Sequence, residues 1–309
     1  MRTNSITLVA LVAIISLAGS VVVIGATQDN DDRPCIYTTM SWQQEMVEEI
    51  VGDSYIVKSF LLPNSDPHST ALTPGSIASS NTVVYFAIGS GVEWELENLS
   101  VIKEELDIPT YECCEDLIGW GIDLLPGECH HHGHDHSDHE HGSYDPHVWT
   151  SPERLKLIAE YVRDVMMELD PDNAEIFAEG CEGYTKKTDI LANLASSVFE
   201  NKAAGEIVVW HSSWAYLLPD DISEVPILKT AQSLTTPSQM MNLKKGTADE
   251  PLVVFLSNER EIKGMTEKEL NDSGVYVRIV VINVLAQNWL DELEKAINVF
   301  GDELSETIQ

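Results

Sequence analysis

The sequence predicts an α/β protein with two lobes, each built on a parallel sheet, joined by a long rigid helix. Short apolar and β-branched segments alternate with helical segments from residue 35 onward, a rhythm typical of parallel sheets covered by helices. A long helical stretch interrupts this rhythm near the middle of the chain, and a second βα series then begins. The 309 residues and a hydrophobic fraction of 43% are sufficient for two domains with buried cores.

The first lobe is predicted over residues 35–169. Gly52 ends its first helix, and Pro63 ends the strand that follows. Its last helix starts at Ser151-Pro152, with proline at the first helical position. Strands are expected at residues 36–40, 55–62 and 82–88, and helices at residues 43–51, from 74–80 onward, and at residues 151–169.

A linker helix is predicted over residues 170–202. Asp170-Pro171 breaks the preceding helix, and apolar side chains then continue at helical spacing. The helical stretch itself runs from about residue 172 to residue 200 and is about 40 Å long at 1.5 Å per residue, enough to run the height of a domain. The second lobe follows over residues 203–309. Its strands are expected at residues 206–210, 225–228, 252–256 and 276–282, and its helices at residues 237–243, 266–272 and 289–300.

Residues 1–26 form a predicted signal peptide or membrane anchor. Arg2 precedes an uncharged apolar run over residues 6–24, and small and polar residues follow. This run is long for a signal peptide and just long enough to span a bilayer, so cleavage and anchoring both stay open. In either case the rest of the chain is exported. Export permits a disulfide, for which the candidates are Cys113 or Cys114 with Cys129.

Acidic side chains outnumber basic ones by 51 to 18, for a net charge of −33. Such a surface repels nucleic acid and anionic lipid, so we expect neither as a partner. The charge also concentrates cations near the protein, but solubility or a salty environment explains it more simply. We expect a monomer, and a metal site has to be argued from its ligands.

Three histidines lie at the ends of predicted elements. His68 follows a strand, His147 precedes a helix and His211 ends a strand. In open α/β sheets, ligands gather at the carboxyl ends of the strands. A lone histidine is usually a hydrogen-bonded structural residue, but the shared placement of these three favours a metal site. Imidazole suits tetrahedral zinc, and three histidines leave a fourth place for a carboxylate, an amide or water.

A histidine-rich loop is predicted over residues 129–142. It has no apolar face and mixes histidine with Asp, Glu and Gly, so we expect it to be solvated. Clustered imidazoles bind zinc or copper weakly, although such a segment can also be a neutral spacer. Two roles are considered, collection of zinc for the main site and reporting of metal abundance. The candidate secondary ligands are His130, His131, His132, His134, His136, His139 and His141.

A series of motifs runs along the chain at residues 63 and 66–68, 91–94, 145–149, 170–173, 211–216 and 236–238. Together with the histidine-rich loop, they resemble the solute-binding proteins of zinc and manganese ABC importers, the ZnuA/TroA-like family. Order and spacing agree from about residue 36 to residue 300. The resemblance implies a metal site in the cleft between the lobes, with His68, His147 and His211 as ligands.

Within this resemblance, two positions decide the metal. A histidine at position 211, where manganese members tend to have a carboxylate, resembles the zinc branch. Many members complete the site with an aspartate after the last strand, where this chain has Asn283. The fourth place is therefore given to Asn283 or to water. Because manganese prefers hard carboxylate oxygens, Zn²⁺ is the expected ion, with Mn²⁺ and Ni²⁺ as alternatives.

The resemblance also implies a function. The chain would capture zinc in the periplasm or at the cell surface and deliver it to an ABC transporter permease, which works with its ATPase. The chain itself would have no enzymatic activity. Two other functions stay open on the sequence alone. A zinc-dependent hydrolase would use the three histidines, a bound water and Glu259 as base, although no HExxH motif is present. A stand-alone extracellular zinc-binding adhesin or buffer would need no transporter.

Overall fold

The computed structural model contains two parallel sheets with their covering helices. It describes residues 32–65, 67, 70–72, 81–127, 144–226, 228–230, 233–234, 252–256, 267–272, 274 and 276–304. All the elements below lie within the compact unit Pro34–Gln309. The predicted segments at residues 1–26, 74–80, 129–142 and 237–243 lie outside the described residues.

Four parallel strands form the first sheet, namely β1 (Cys35–Thr38), β2 (Ile56–Ser59), β3 (Thr82–Ala87) and β4 (Thr110–Glu112). Their order across the sheet is β2-β1-β3-β4. All four residues of β1 are buried, so both faces of this central strand are covered. Near-continuous apolar runs are what a parallel sheet covered on both faces requires, and β3 likewise buries Val84, Tyr85 and Phe86.

The helices of the first lobe are α1 (Ser41–Val51), α2 (Glu93–Leu106), α3 (Cys113–Leu117) and α4 (Pro152–Leu169), with 3-10 turns at Gly52–Ser54 and Val148–Thr150. Helix α1 connects β1 to β2 and ends at Gly52, whose φ of 56° suits a residue without Cβ. Helix α4 starts at Pro152, as predicted. The Ser151 side chain caps it by accepting the backbone N–H of Arg154.

A long helix, α5 (Ala174–Phe199), follows the 3-10 turn Pro171–Asn173 and spans about 39 Å at 1.5 Å per residue. It packs against α1 and α4 in the first lobe and against the last helix of the second lobe. Two close approaches require glycine. A Cβ at Gly180 would overlap a backbone oxygen of α1, and one at Gly301 would overlap the Val198 side chain. Helix α5 is therefore packed closely against both lobes.

The second lobe contains β5 (Gly205–Val209), β6 (Ile222–Pro226), β7 (Leu228–Thr230), β8 (Ser233–Leu234), β9 (Leu252–Leu256), α6 (Glu267–Asp272), β10 (Val277–Val281) and α7 (Trp289–Glu303). Four of these strands form a parallel sheet in the order β10-β9-β5-β6, and β7 pairs antiparallel with β8. Helix α7 buries one apolar stripe, which includes Trp289, Leu293, Ile297 and Phe300.

These elements confirm the predicted α/β fold with two parallel-sheet lobes. Most strand ends lie within two residues of the prediction, and two strands differ by more. The strand expected at 55–62 pairs with β1 only as far as Ser59, because β1 ends at Thr38. The strand expected at 225–228 is divided between β6 and β7, and β6 ends at Pro226, which has no N–H to donate. Helices α2 and α3 and strand β4 were not predicted.

The predicted signal peptide or anchor and the predicted disulfide involve residues that the structure mostly does not describe. The apolar run at 6–24 and Cys129 lie outside the described residues. The remaining cysteines are buried, and burial raises the pKa of the Cys113 and Cys114 thiols, which disfavours their thiolate forms. Within the described ranges, no helix is long and apolar enough to cross a bilayer.

Candidate metal centre

His147 lies just before the 3-10 turn Val148–Thr150, with its side chain 11% exposed. Asp145 holds it from behind, since Oδ1 accepts the ring Nδ1 at 2.7 Å and the backbone N–H of His147 at 2.9 Å. An ionised carboxylate can only accept, so Nδ1 carries a proton, and in the neutral imidazole Nε2 then presents a lone pair. The Trp149 ring packs edge-on against the imidazole, with centroids 5.2 Å apart. The hydrogen bond to Asp145 therefore fixes the tautomer of the neutral ring, and together with the Trp149 contact it fixes the direction in which Nε2 points.

His211 follows β5 by two residues at the carboxyl edge of the second sheet. Glu224, on the neighbouring strand β6, holds the backbone that follows it. The Glu224 carboxylate accepts the N–H of Ser213 at 3.0 Å, the N–H of Trp214 at 2.9 Å and the hydroxyl of Ser212 at 3.1 Å. These three hydrogen bonds fix the turn from which the imidazole of His211 projects.

The two imidazoles, here called the histidine pair, face each other across the boundary between the lobes. Their Nε2 atoms are 3.3 Å apart and their ring planes are inclined by 69°. Two nitrogen ligands on tetrahedral zinc, with bonds of about 2.0–2.1 Å, are about 3.3–3.4 Å apart. A right angle at the same bond lengths would bring them to about 2.9 Å. The pair thus has the spacing of two tetrahedral zinc ligands, a spacing that also permits an Nε2–H···Nε2 hydrogen bond.

Two carboxylates stand behind the histidine pair. Burial raises the pKa of Asp145, but the hydrogen bonds and charge of His147, together with the charge of His211, outweigh it, so the pKa lies below its usual range. Burial raises the pKa of Glu224 above its usual range, against three hydrogen bonds that favour the ionised form. When both are ionised, they balance the charge of a divalent cation held by neutral imidazoles.

Tyr216 joins the turn after His211 to the first lobe. Its hydroxyl donates to the backbone oxygen of Asp145 at 2.8 Å and accepts the N–H of Leu125 at 3.0 Å. The Arg154 guanidinium lies 4.3 Å from the centroid of its ring. Because Asp145 orients His147, one tyrosine links the turn that carries His211 to the segment that carries His147.

Two tryptophans form a second set of hydrogen bonds between the lobes. Trp149, next to the histidine pair, donates its Nε1–H to the backbone oxygen of Val284 at 3.2 Å. Trp289, at the start of α7, donates its Nε1–H to the backbone oxygen of Trp149 at 2.6 Å. Both tryptophans are buried, so breaking either bond would leave a buried polar group without its partner.

The other predicted ligands have different outcomes. His68 and the histidine-rich loop lie outside the described residues, so the structure brings together two of the three predicted main ligands. Asn283 lies just after β10, and its Oδ1 accepts the N–H of Leu285 at 3.1 Å. In the part of the chain that the structure describes, no three His, Cys, Asp or Glu side chains form a cluster able to hold a metal ion.

Sequence reasoning did not single out Asp145, Glu224 or Tyr216. The spacing of Asp145 two residues before His147 was a usable signal, because carboxylates commonly orient metal-binding histidines. Glu224 gave no such signal. Its role depends on the pairing of β5 with β6, in which Ile207 lies opposite Glu224.

Comparison with known families identifies the chain. Residues 36–299 match the family described as ZnuA, the periplasmic component A of the zinc-uptake complex. The chain belongs to this family. The resemblance drawn from the motifs is thereby confirmed over nearly the same residues.

Relatives in this group carry names that refer to metals. A putative metal-binding protein of Chlamydia trachomatis is 24% identical over 215 residues, which cover 67% of this chain and 69% of the relative. The high-affinity zinc uptake system protein ZnuA of Bacillus subtilis is 27% identical over 207 residues, covering 66% and 63% respectively. The zinc-binding lipoprotein AdcA of Streptococcus pneumoniae is 26% identical over 195 residues, and the match spans 62% of this chain but 38% of AdcA.

Solved structures share the fold. A crystal structure of ZnuA superposes with a TM-score of 0.68 at 21% identity, over 87% of this chain and 98% of that chain. Zn(II)-bound AdcA from Streptococcus pneumoniae superposes with a TM-score of 0.69 at 18% identity, over 90% of this chain and 59% of that chain. At these identities, the likeness establishes the two-lobed architecture.

Proposed function

We propose that this chain captures zinc outside the cytoplasm and delivers it to the permease of an ABC importer. The observation that carries the proposal is the 3.3 Å separation of the two Nε2 atoms in the histidine pair, one from each lobe. In the neutral imidazole of His147, the hydrogen bond to Asp145 places the proton on Nδ1 and leaves Nε2 as the nitrogen that can bind a metal. The family match and the zinc-binding names of several relatives support the same ion.

His68 is the proposed third ligand, and Asn283 or water takes the fourth place. Three imidazoles with one weak oxygen ligand suit zinc, because manganese prefers several hard oxygens. The spacing of the histidine pair matches tetrahedral coordination and so also favours zinc over manganese. A manganese-binding lipoprotein, MntA of Halalkalibacterium halodurans, is also among the relatives, at 27% identity over 161 residues. Mn²⁺ and Ni²⁺ are therefore the competing ions to include in any titration.

The histidine-rich loop, residues 129–142, is proposed to collect zinc at weaker sites and pass it to the cleft. The chain flanking this loop is held beside the histidine pair. Asp145 donates its backbone N–H to Leu125 at 2.8 Å, and Pro126 and Tyr144 form an antiparallel bridge. Zinc released from the loop therefore enters solution close to the candidate site.

Export and delivery complete the proposed function. Residues 1–26 act as a signal peptide or anchor, so that the protein works in the periplasm or at the cell surface. The metal passes from the cleft to an ABC permease driven by its ATPase, without chemical conversion. The relatives named for zinc uptake support this role.

A competition titration with a chromophoric zinc chelator tests the function. Single alanine substitutions of His68, His147 and His211 are each expected to weaken zinc binding at the tight site tenfold or more, about 1.4 kcal/mol. His131→Ala in the histidine-rich loop is the matched control and is expected to leave the tight site unchanged. Unchanged binding in all three cleft variants would contradict the proposal.

A further inference from the structure

Asn283 occupies the position proposed for a fourth ligand, but both ends of its amide are already engaged. Its Oδ1 accepts the N–H of Leu285 at 3.1 Å, and its Nδ2 donates to Oδ1 of Asn64 in the other lobe. The orientation of the amide follows from chemistry, because the backbone N–H of Leu285 can only donate and so must face oxygen. Nδ2 of Asn283 therefore faces Asn64, and Oδ1 of Asn64 must be its acceptor.

A backbone hydrogen bond reinforces this contact between the lobes. Asn64 donates its N–H to the backbone oxygen of Leu285 at 3.0 Å. Its φ of 64° is left-handed, a conformation that asparagine adopts more readily than most residues. The same segment is tied to the first lobe just before this point, where Leu61 donates its N–H to Thr39 at 2.9 Å. Residues 61–64 are thus held by both lobes.

Asn64 lies in the first lobe and Asn283 in the second, and the same two lobes carry His147 and His211. We propose that Asn64 and Asn283 form a clamp that holds the lobes, and with them the histidine pair, in position for an ion, and that Asn283 acts through this clamp rather than as a metal ligand. The fourth place on the ion is then left to water. The proposal rests on the proposed function, because it takes His147 and His211 as zinc ligands.

Aspartate substitutions probe the clamp with little change of volume. In Asn64→Asp, the carboxylate still accepts from Nδ2 of Asn283. In Asn283→Asp, the Asn64 amide can turn its nitrogen toward the new carboxylate, while the N–H of Leu285 keeps its acceptor. In the double variant, two carboxylates face each other with no donor between them, and they must separate or share a proton. Each single change is thus tolerated, whereas the pair opens the clamp.

The test measures zinc and manganese dissociation constants by chelator competition for both single variants and the double variant. We expect Asn283→Asp to shift the zinc and manganese constants by the same factor. We expect the double variant to bind zinc at least tenfold more weakly than Asn283→Asp, about 1.4 kcal/mol. The charge control is the double variant Asn193→Asp with Asn298→Asp. Both residues are exposed on helices, and this control is expected to bind like the wild type.

Two results would overturn the clamp. If Asn283→Asp strengthens manganese binding tenfold more than zinc binding, and the double variant keeps that gain, residue 283 contacts the ion. If the double variant binds zinc as tightly as Asn283→Asp, the contact does not position the histidine pair. Should the double variant fail to fold, alanine at both positions replaces it. The combined loss in zinc affinity should then not exceed the larger single loss, and additive losses would refute the clamp.

Failure of the clamp can be told apart from failure of the proposed function. His147→Ala and His211→Ala remove tight zinc binding under the proposed function, whatever the role of Asn283. If they do so while the carboxylate pair has no effect, the clamp alone is wrong. If neither histidine matters, the proposed function fails first, and the clamp fails with it.

Discussion

Replacement of Asp145 by asparagine tests how the chain prepares His147 for a metal ion. Oδ1 of Asp145 receives two hydrogen bonds from His147, at 2.7 Å from the ring and 2.9 Å from the backbone. Asparagine offers an uncharged oxygen to the same two donors, so the local geometry survives while the charge is lost. Because the pKa of Asp145 lies below its usual range, the wild-type carboxylate is ionised at neutral pH.

The expected loss follows from the position of this carboxylate behind a metal-binding imidazole. The charge makes the nitrogen more basic and fixes the proton on Nδ1, and partners of this kind contribute about 10- to 100-fold to metal affinity. The zinc dissociation constant of Asp145→Asn should therefore rise by that factor, which corresponds to about 1.4–2.7 kcal/mol.

Chelator competition at neutral pH measures this loss, alongside thermal unfolding of the metal-free protein. Asp189→Asn is the matched control, because it removes one negative charge from a side chain that is 52% exposed and paired with Lys156 on the surface. Equal zinc affinity in the two variants would refute the role given to Asp145. A loss of zinc affinity accompanied by an unchanged unfolding midpoint would support it.

Three further predictions concern charge, pH and the histidine-rich loop. Glu224→Gln should weaken zinc binding about tenfold in the same titration, without loss of metal-free stability at pH 7. The folded pKa of Glu224 is raised, so the wild type loses stability as pH rises through it, and glutamine does not. Asp170 has a lowered pKa because of hydrogen bonds from Asn173 and Tyr55. Its stabilisation should therefore be present above about pH 4 and lost below, and Asp170→Asn should cost no more than about 1 kcal/mol in denaturant unfolding at pH 7, because solvent screens this charge. Deletion of residues 129–142 should leave the tight site intact in calorimetry and remove weaker zinc equivalents; loss of the tight site would make the loop a direct ligand.

The two-lobed fold was predictable because its signals are local. Strands such as β3 and β9 are short apolar runs, and α4 starts at a serine-proline pair that caps it in the structure. Helix α2 was missed because charged residues dominate its exposed face, so its apolar spacing is weak. The strand expected at 225–228 is split because β6 pairs with β5 while β7 pairs with β8. A single sequence does not show which strands pair.

The sequence placed His147 and His211 at element ends, and the structure brings their side chains together, while their role as metal ligands stays a prediction. His211 follows β5 at the carboxyl edge of its sheet, where ligands of parallel sheets gather. Their partners were harder to find. Glu224 acts through a neighbouring strand, and Asn64 meets Asn283 across 219 positions of sequence. Hydrogen bonds of this range follow only from the packed arrangement of the lobes.

An anomalous difference map at the zinc edge, from crystals grown with one equivalent of zinc, shows whether the histidine pair holds the ion. We expect one strong peak at about 2.0–2.1 Å from Nε2 of both His147 and His211. Data collected below the edge should show the peak vanish, which identifies the ion as zinc. A map with no peak between these two nitrogens, or with zinc bound only at the histidine-rich loop, would show that the histidine pair is not the zinc site.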